Sequence, residues 1–326
     1  MPRLSLDVRA EAWPIHGRFA IARGAKTRAE VVVVRLDNGM GCGECTPYGR
    51  YGESTGSVLA QIEAVRSELE AGCDLDRLQT LLPPGAGRNA IDCALWDLQA
   101  KRTGVRAYER AGLKVLVSQT TAYTLSLDTS EAMAEAARTN AQRPVLKLKI
   151  GGADDLDRIA AVRAAAPDAA LIVDANESLP FGDLRRLCGD FHRLGVKLIE
   201  QPLKADEDSD LEGFQSPVPL CADESLHTRT ELAACARRYD CVNIKLDKTG
   251  GLTEALALKA EAQALGLRVM AGCMVATSLA MAPAMLVAQG VAWVDLDGPL
   301  LLEHDRQPGL VYEGSIVRPP APALWG

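Results

Sequence analysis

Apolar positions fall into three textures along the chain. Up to about residue 45 they form extended runs: "RAEVVVVRLDNGMGCGE" reads as a strand, a D-N-G turn and a second strand. Residues 54 to 113 carry helical spacing. In "GRNAIDCALWDLQAKRTG", Ala90, Ile91, Ala94, Leu95 and Leu98 recur on one face, and Gly104 closes the segment. From about residue 117, short β-rich runs alternate with Ala/Leu-rich helical stretches such as "EALALKAEAQALG". The runs are "TAYTLSL", "VLKLKI", "ALIVDANE", "KLIEQP", "PLCADES", "CVNIKLD", "RVMAGCM" and "WVDLDGP", one about every 25 residues. Eight βα units predict a parallel barrel following an α+β unit. A doubly wound open sheet would place a Gly-rich nucleotide turn after its first strand, and "KIGGADD" is not G-x-G-x-x-G.

One run breaks its texture. In "VLKLKI", Lys147 and Lys149 share a strand face with Val145, about 6.6 Å apart. An isolated K-x-K is ordinarily a strand face that meets water. Composition narrows what such a pair can serve. At 326 residues and 48% hydrophobic, the chain can bury a large core, and its net charge of −7 argues against nucleic acid or anionic membrane as a partner. No run of 18 apolar residues spans a bilayer, and "MPRLSLDVRAEAWP" lacks the apolar core of a secretory signal. Nine cysteines without a framework fit a reducing compartment, and Cys42-x-x-Cys45 sits in Gly-rich turn chemistry with no second pair for zinc. The expectation is a cytoplasmic protein acting on a small molecule, with a homo-oligomer compatible and its oligomeric state left open.

In a (β/α) barrel the catalytic residues lie at the C-terminal strand ends. Those ends read Lys147/Lys149, Asp174, Glu200, Asp223, Lys245 and Asp295/Asp297. Each could singly be an ordinary strand-end charge or helix cap. Three carboxylates on three consecutive strands, flanked by lysines, are harder to place that way. Asp174, Glu200 and Asp223 form an oxygen-only set that suits Mg²⁺ rather than zinc. Asn176 shares the face of Asp174 and is placed to orient it.

Lysine near pKa 10.4 is no base at neutral pH, but burial, a second lysine and a metal disfavour the ammonium, and catalytic lysines fall to roughly 7–8. Lys149 on the second strand and Lys245 on the sixth face each other across a closed barrel. Such a pair can take a proton from one face of a carbon and return it to the other. Lys147 is expected to stay charged and to stabilise an enediolate, with Mg²⁺ on the substrate carboxylate.

These residues, "KLK" at 147–149, Asp174 in "VDANE", Glu200 in "EQP", Asp223 in "ADES" and Lys245 in "NIKLDKTGG", resemble the enolase superfamily, in its muconate-lactonizing-enzyme subgroup. The resemblance covers nearly the whole chain. It implies a (β/α)7β barrel over 117–299, an α+β cap over 1–116 completed by 300–326, and Mg²⁺ as cofactor. Lys248 falls outside the proton-transfer pair.

Within the subgroup, Asp295 and Asp297 in "WVDLDGPLL" resemble the D-x-D of dipeptide epimerases, an anchor for a substrate ammonium. Two carboxylates suit a cationic amine and would repel a succinyl group. "GRFAIARG" implies that Arg23 receives a glutamate side chain, and Thr124 in "AYTL" and Thr277 in "MVATS" are expected to touch the peptide. The implied activity is Mg²⁺-dependent epimerisation of L-Ala-L/D-Glu-type dipeptides in cell-wall peptide recycling. N-succinylamino acid racemase or o-succinylbenzoate synthase activity is the alternative on the same scaffold, and a non-catalytic binding protein is the rival of another class. Leu179 stands where relatives often carry an aromatic. His16, His192, His227 and His304 lie off the strand-end pattern, against a histidine base.

Overall fold

The computed structural model describes residues 4–326. The chain opens with an antiparallel sheet of β1 (Leu6–Ile21), β2 (Gly24–Leu36) and β3 (Gly41–Cys45). Strand alternation in "VVVV" divides β2 between two cores. Val32 and Val34 pack with Leu36, Ile62, Leu78 and Ile91 inside the N-terminal unit, while Val31 and Val33 join the main core. The β1–β2 hairpin is long, and its tip from Phe19 to Lys26 projects over the barrel mouth.

The helix Ala86–Thr103 lies between this sheet and the barrel. Its one apolar stripe understates its burial, because Arg88, Asn89, Asp92 and Asp97 are buried as well. Their partners are supplied across the seam. Arg88 donates to the carbonyls of Thr249 (2.7 Å) and Gly250 (3.1 Å), Asn89 donates to Asp247 (2.9 Å), and Asp92 accepts from Thr253 N (3.1 Å). Close approach to the sheet requires glycine: a Cβ on Gly43 would stand 2.1 Å from the Ala90 carbonyl oxygen.

After β4 (Gln119–Thr120) come eight parallel strands: β5 (Tyr123–Leu125), β6 (Val145–Lys149), β7 (Ala170–Asp174), β8 (Val196–Glu200), β9 (Leu220–Ala222), β10 (Cys241–Ile244), β11 (Arg268–Gly272) and β12 (Trp293–Asp295). They pair in sequence order. Ala122 N donating to Val294 O (2.8 Å) and Leu296 N to Thr121 Oγ1 (2.8 Å) tie the first edge to the last. Helices fill the crossovers except between β8 and β9, where the connection carries only a 3-10 turn, Asp208–Leu211. The described chain is thus a mixed α/β fold, a barrel-like sheet with a separate N-terminal antiparallel unit.

The tail "RPPAPALWG", which reads as a terminal extension, is instead anchored. Just before it, β14 (Ile316–Val317) pairs with β13 (Tyr312–Glu313) on one side and β4 on the other, and Trp325 is fully buried with Nε1 donating to Cys93 O at 3.0 Å. Among the described residues no helix is long and apolar enough to cross a membrane.

Candidate active site

The two lysines of β6 point into a cavity of about 380 Å³ at the C-terminal ends of the strands. They are not a wet strand face: Lys147 and Lys149 are 1% and 6% exposed. Their ammonium groups stay buried because the neighbouring strands present carboxylates in register, Lys149 beside Asp174 and Asp174 beside Glu200. Lys147 Nζ lies 2.7 Å from Glu200, 2.8 Å from Asp295 and 3.1 Å from Asp174. Lys149 Nζ donates to Asp174 at 2.5 Å, and Lys245 Nζ donates to Asp223 at 2.6 Å. Lys149 and Lys245, four strands apart, both line the cavity.

Burial disfavours the Lys147 ammonium, but Asp295, Glu200 and Asp174 outweigh it and hold its pKa well above that of free lysine. Burial likewise opposes the Lys245 ammonium, and Asp223 and Glu200 prevail, so its pKa is also raised. The Asp223 carboxylate, 2.6 Å away, is the near counter-charge that overcomes desolvation at Lys245. Among the carboxylates, burial and Asp174 push Glu200 up to about 7, against Lys147. Burial also works against the Asp223 anion, yet Lys245 and Lys248 hold it well below the usual carboxylate range.

Asp174, Glu200 and Asp223 offer only oxygen; Asn176 Oδ1 is buried without a hydrogen-bond partner, and Glu200 Oε2 has the Lys147 ammonium at 2.7 Å. That donor chemistry fits a hard divalent cation. The side chains are held by lysines rather than drawn together: among the described residues no three acidic, thiol or imidazole groups converge as a ready cage. The backbone around them is unusual, with positive φ at Asn176 (44°), Glu177 (71°) and Gln201 (34°), conformations that non-glycine residues adopt at a cost.

Two residues that sequence reading passed over, Gln201 and Asn243, hold this floor together with Lys248, which it placed outside the proton-transfer pair. Gln201 accepts from Asp223 N (2.8 Å) and Ser225 N and donates to Leu203 O. Asn243 donates to Glu200 Oε1 at 2.8 Å. Lys248, fully buried, donates to Asp223 Oδ1 (2.6 Å) and to the Asn243 carbonyl (2.9 Å). The signal was available as polar residues beside the strand-end charges in "EQP" and "NIKLDK".

Asp295 and Asp297 both line the cavity but not by strand alternation. β12 ends at Asp295, and Asp297 begins the turn Gly298–Leu301, where its carboxylate accepts from Thr124 N at 2.6 Å. Burial and the Asp295 charge push Asp297 up to about 7. Thr124 lines the cavity beside it. Thr277 does not. It is fully buried, its hydroxyl and amide are bound to Glu44 (2.6 and 2.8 Å), and it caps the helix Ser278–Val287. That corrects the expectation that Thr277 touches a peptide: its donors are consumed in joining β3 to the barrel. Arg23 reaches the cavity from the hairpin tip, with its guanidinium on Glu224 (2.6 Å), Asn176 O (2.7 Å), Tyr48 Oη (2.9 Å) and Glu177 (3.1 Å).

Residues 131–322 match the family described as enolase C-terminal domain-like, and residues 3–110 match the N-terminal domain of mandelate racemase and muconate lactonizing enzyme. The chain belongs to the enolase superfamily. Its relatives within that superfamily include the L-Ala-D/L-Glu epimerase of Escherichia coli K12, 48% identical over 94% of this chain and 97% of that one. The N-acetyl-D-glutamate racemase of a Pseudoalteromonas species is 45% identical over 91% and 94%. Both relatives are isomerases acting on amino acid derivatives. A solved structure from Agrobacterium tumefaciens, an enolase family member with homology to dipeptide epimerases and bound sodium and L-Ala-L-Glu, superposes with a TM-score of 0.97. It shares 52% identity over 99% of this chain and all of that one. Enzymes of the enolase superfamily use a divalent metal.

Proposed function

We propose that this protein is a dipeptide epimerase that inverts the C-terminal residue of L-Ala-L/D-Glu-type substrates, in cell-wall peptide recycling in the cytoplasm. The observation that carries the reading is Lys149 and Lys245 lining one cavity from strands four apart, with buried carboxylates at their feet. The close relatives bear the same type of activity in their names.

Asp174, Glu200 and Asp223 would hold Mg²⁺, which supplies positive charge for a substrate carboxylate whose α proton is leaving. The chain's own residues do the rest. Lys149 and Lys245 stand on opposite sides of the α-carbon; one removes the proton and the other returns it on the far face. Lys147, fixed by three carboxylates, keeps its charge and stabilises the negative charge that develops on the substrate carboxylate. Asp295 and Asp297 receive the amino end, with Thr124 setting the Asp297 carboxylate. Phe19 and Ile21 on the hairpin tip help exclude water.

A second reading concerns the amino end alone. The 45% identical racemase acts, by its name, on an N-acetyl amino acid, which has no ammonium for an aspartate pair. Chiral chromatography of L-Ala-L-Glu and N-acetyl-L-Glu after incubation with enzyme separates the two. Inversion of the dipeptide should run far ahead of the N-acetyl compound, be lost in EDTA and return with Mg²⁺. Inversion of N-acetyl-L-Glu alone would overturn the dipeptide assignment, and full activity in EDTA would overturn the metal.

A further inference from the structure

The one crossover of the barrel without a helix, from β8 to β9, is tied down instead by a buried polar chain. Asp208 on its 3-10 turn and Tyr239, just before β10, are 1% and 5% exposed. Tyr239 Oη donates to Asp208 Oδ2 at 2.9 Å, and Arg238 Nη1 donates to Asp208 Oδ1 at 2.6 Å. Gln201 Nε2 shares its hydrogens among Tyr239 Oη (3.1 Å), Ser225 Oγ (2.7 Å) and Leu203 O (2.9 Å). On the other side of the amide, Gln201 Oε1 accepts from Asp223 N (2.8 Å) and Ser225 N (3.1 Å).

The direction of this chain is set at its far end. A carboxylate can only accept, so the Tyr239 hydroxyl gives its proton to Asp208 and turns its lone pairs toward Gln201. Burial and the Asp208 charge raise the phenol pKa and keep that proton in place. Gln201 then presents its NH₂ group to Tyr239 and its carbonyl oxygen to the amides of Asp223 and Ser225. The opposite orientation would set NH₂ against two N–H donors in a dry interior. Asp208, Tyr239 and Gln201 do not line the cavity. The chain reaches the site through the backbone of Asp223, whose carboxylate is also the counter-charge of Lys245 at 2.6 Å.

We propose that Tyr239 and Asp208 are positioning residues for Asp223 as a metal ligand, acting through the Gln201 amide. The inference rests on the Mg²⁺ reading of the site. The crossover from β8 to β9 thereby has a task beyond connection: it delivers the acceptor that orients the phenol, and the phenol orients the amide under the ligand. A ligand whose backbone is fixed this way loses less freedom when it takes up a cation.

The test is calorimetric titration of Mg²⁺ into metal-free protein without substrate, so that it reads binding and not turnover. Gln201→Met is expected to raise the Mg²⁺ Kd by about 10- to 100-fold. Tyr239→Phe, which keeps the ring and its packing, is expected to raise it by about 3- to 10-fold, and Asp208→Ala by a similar factor. In the Gln201→Met background neither change should weaken binding further, because both act through the amide that is gone. A Kd in Tyr239→Phe within about 2-fold of the unaltered protein overturns the proposal, since a purely structural role would move urea melts alone. Full additivity of Tyr239→Phe with Gln201→Met overturns it as well. Should Gln201→Met fail to fold by circular dichroism, the Kd of Tyr239→Phe decides by itself. Failure of the Mg²⁺ reading looks different: the unaltered protein would then bind no Mg²⁺.

Discussion

Lys147 is almost entirely buried on a strand that alternation alone would let face water. Alternation put Lys147 and Lys149 on one face; only the neighbouring strands, read together, supplied the carboxylates that make burial tolerable. What the sequence did not reveal at this scale is occupancy. Arg23 is a hairpin cation in the primary structure, and only the fold shows that it is already bound to two carboxylates, a phenol and a carbonyl. Thr277 failed for the same reason, since its partner Glu44 lies 233 residues away. Lys248 invites a direct measurement. Its ammonium bonds Asp223 Oδ1 and two carbonyls in the interior, so Lys248→Met leaves those acceptors unpaired. Urea unfolding should show a loss of about 3–5 kcal/mol. A loss under 1 kcal/mol would mean that Lys245 alone satisfies Asp223.

At the scale of elements, hydrophobic periodicity located the parallel strands because each is a short apolar run flanked by polar ends. It underread the helix Ala86–Thr103, whose polar residues looked solvent-facing but meet the barrel instead. Asp92 reports on that seam. Burial pushes its pKa up to about 6, with hydrogen bonds from Thr253 and Gln79 pulling the other way. An unfolded aspartate titrates near 3.9, so between those values the folded state keeps a proton that the unfolded chain has lost. The stability contributed by the neutral form is full below about pH 4 and is lost as pH rises through about 6. Asp92→Asn keeps an acceptor for Thr253 N and cannot ionise. Between pH 5 and pH 8 its stability should improve relative to the unaltered protein by about 1.4 kcal/mol. A pH-independent difference in urea melts would place a neighbouring charge beside Asp92 in solution.

The molecule as a whole makes its site from two parts. The barrel supplies lysines and carboxylates at strand ends, and the N-terminal sheet supplies a hairpin that reaches over them. The barrel half was readable because the parallel strands repeat with a fixed period and end in charge. The roof was harder to read, because a hairpin's reach depends on how the sheet docks, and that is set by buried polar pairs such as Asn89 with Asp247. Division of labour across the cavity is the central claim, and isotope wash-in tests it most directly. In D₂O with Mg²⁺, α-proton loss from L-Ala-L-Glu and from L-Ala-D-Glu is followed by NMR for the unaltered enzyme, Lys149→Met and Lys245→Met. The unaltered enzyme should exchange both isomers. Each variant should lose exchange of one isomer by about 100-fold or more and keep measurable exchange of the other, with opposite choices in the two variants. Equal loss of both isomers in both variants, with the fold intact, would contradict a two-base site.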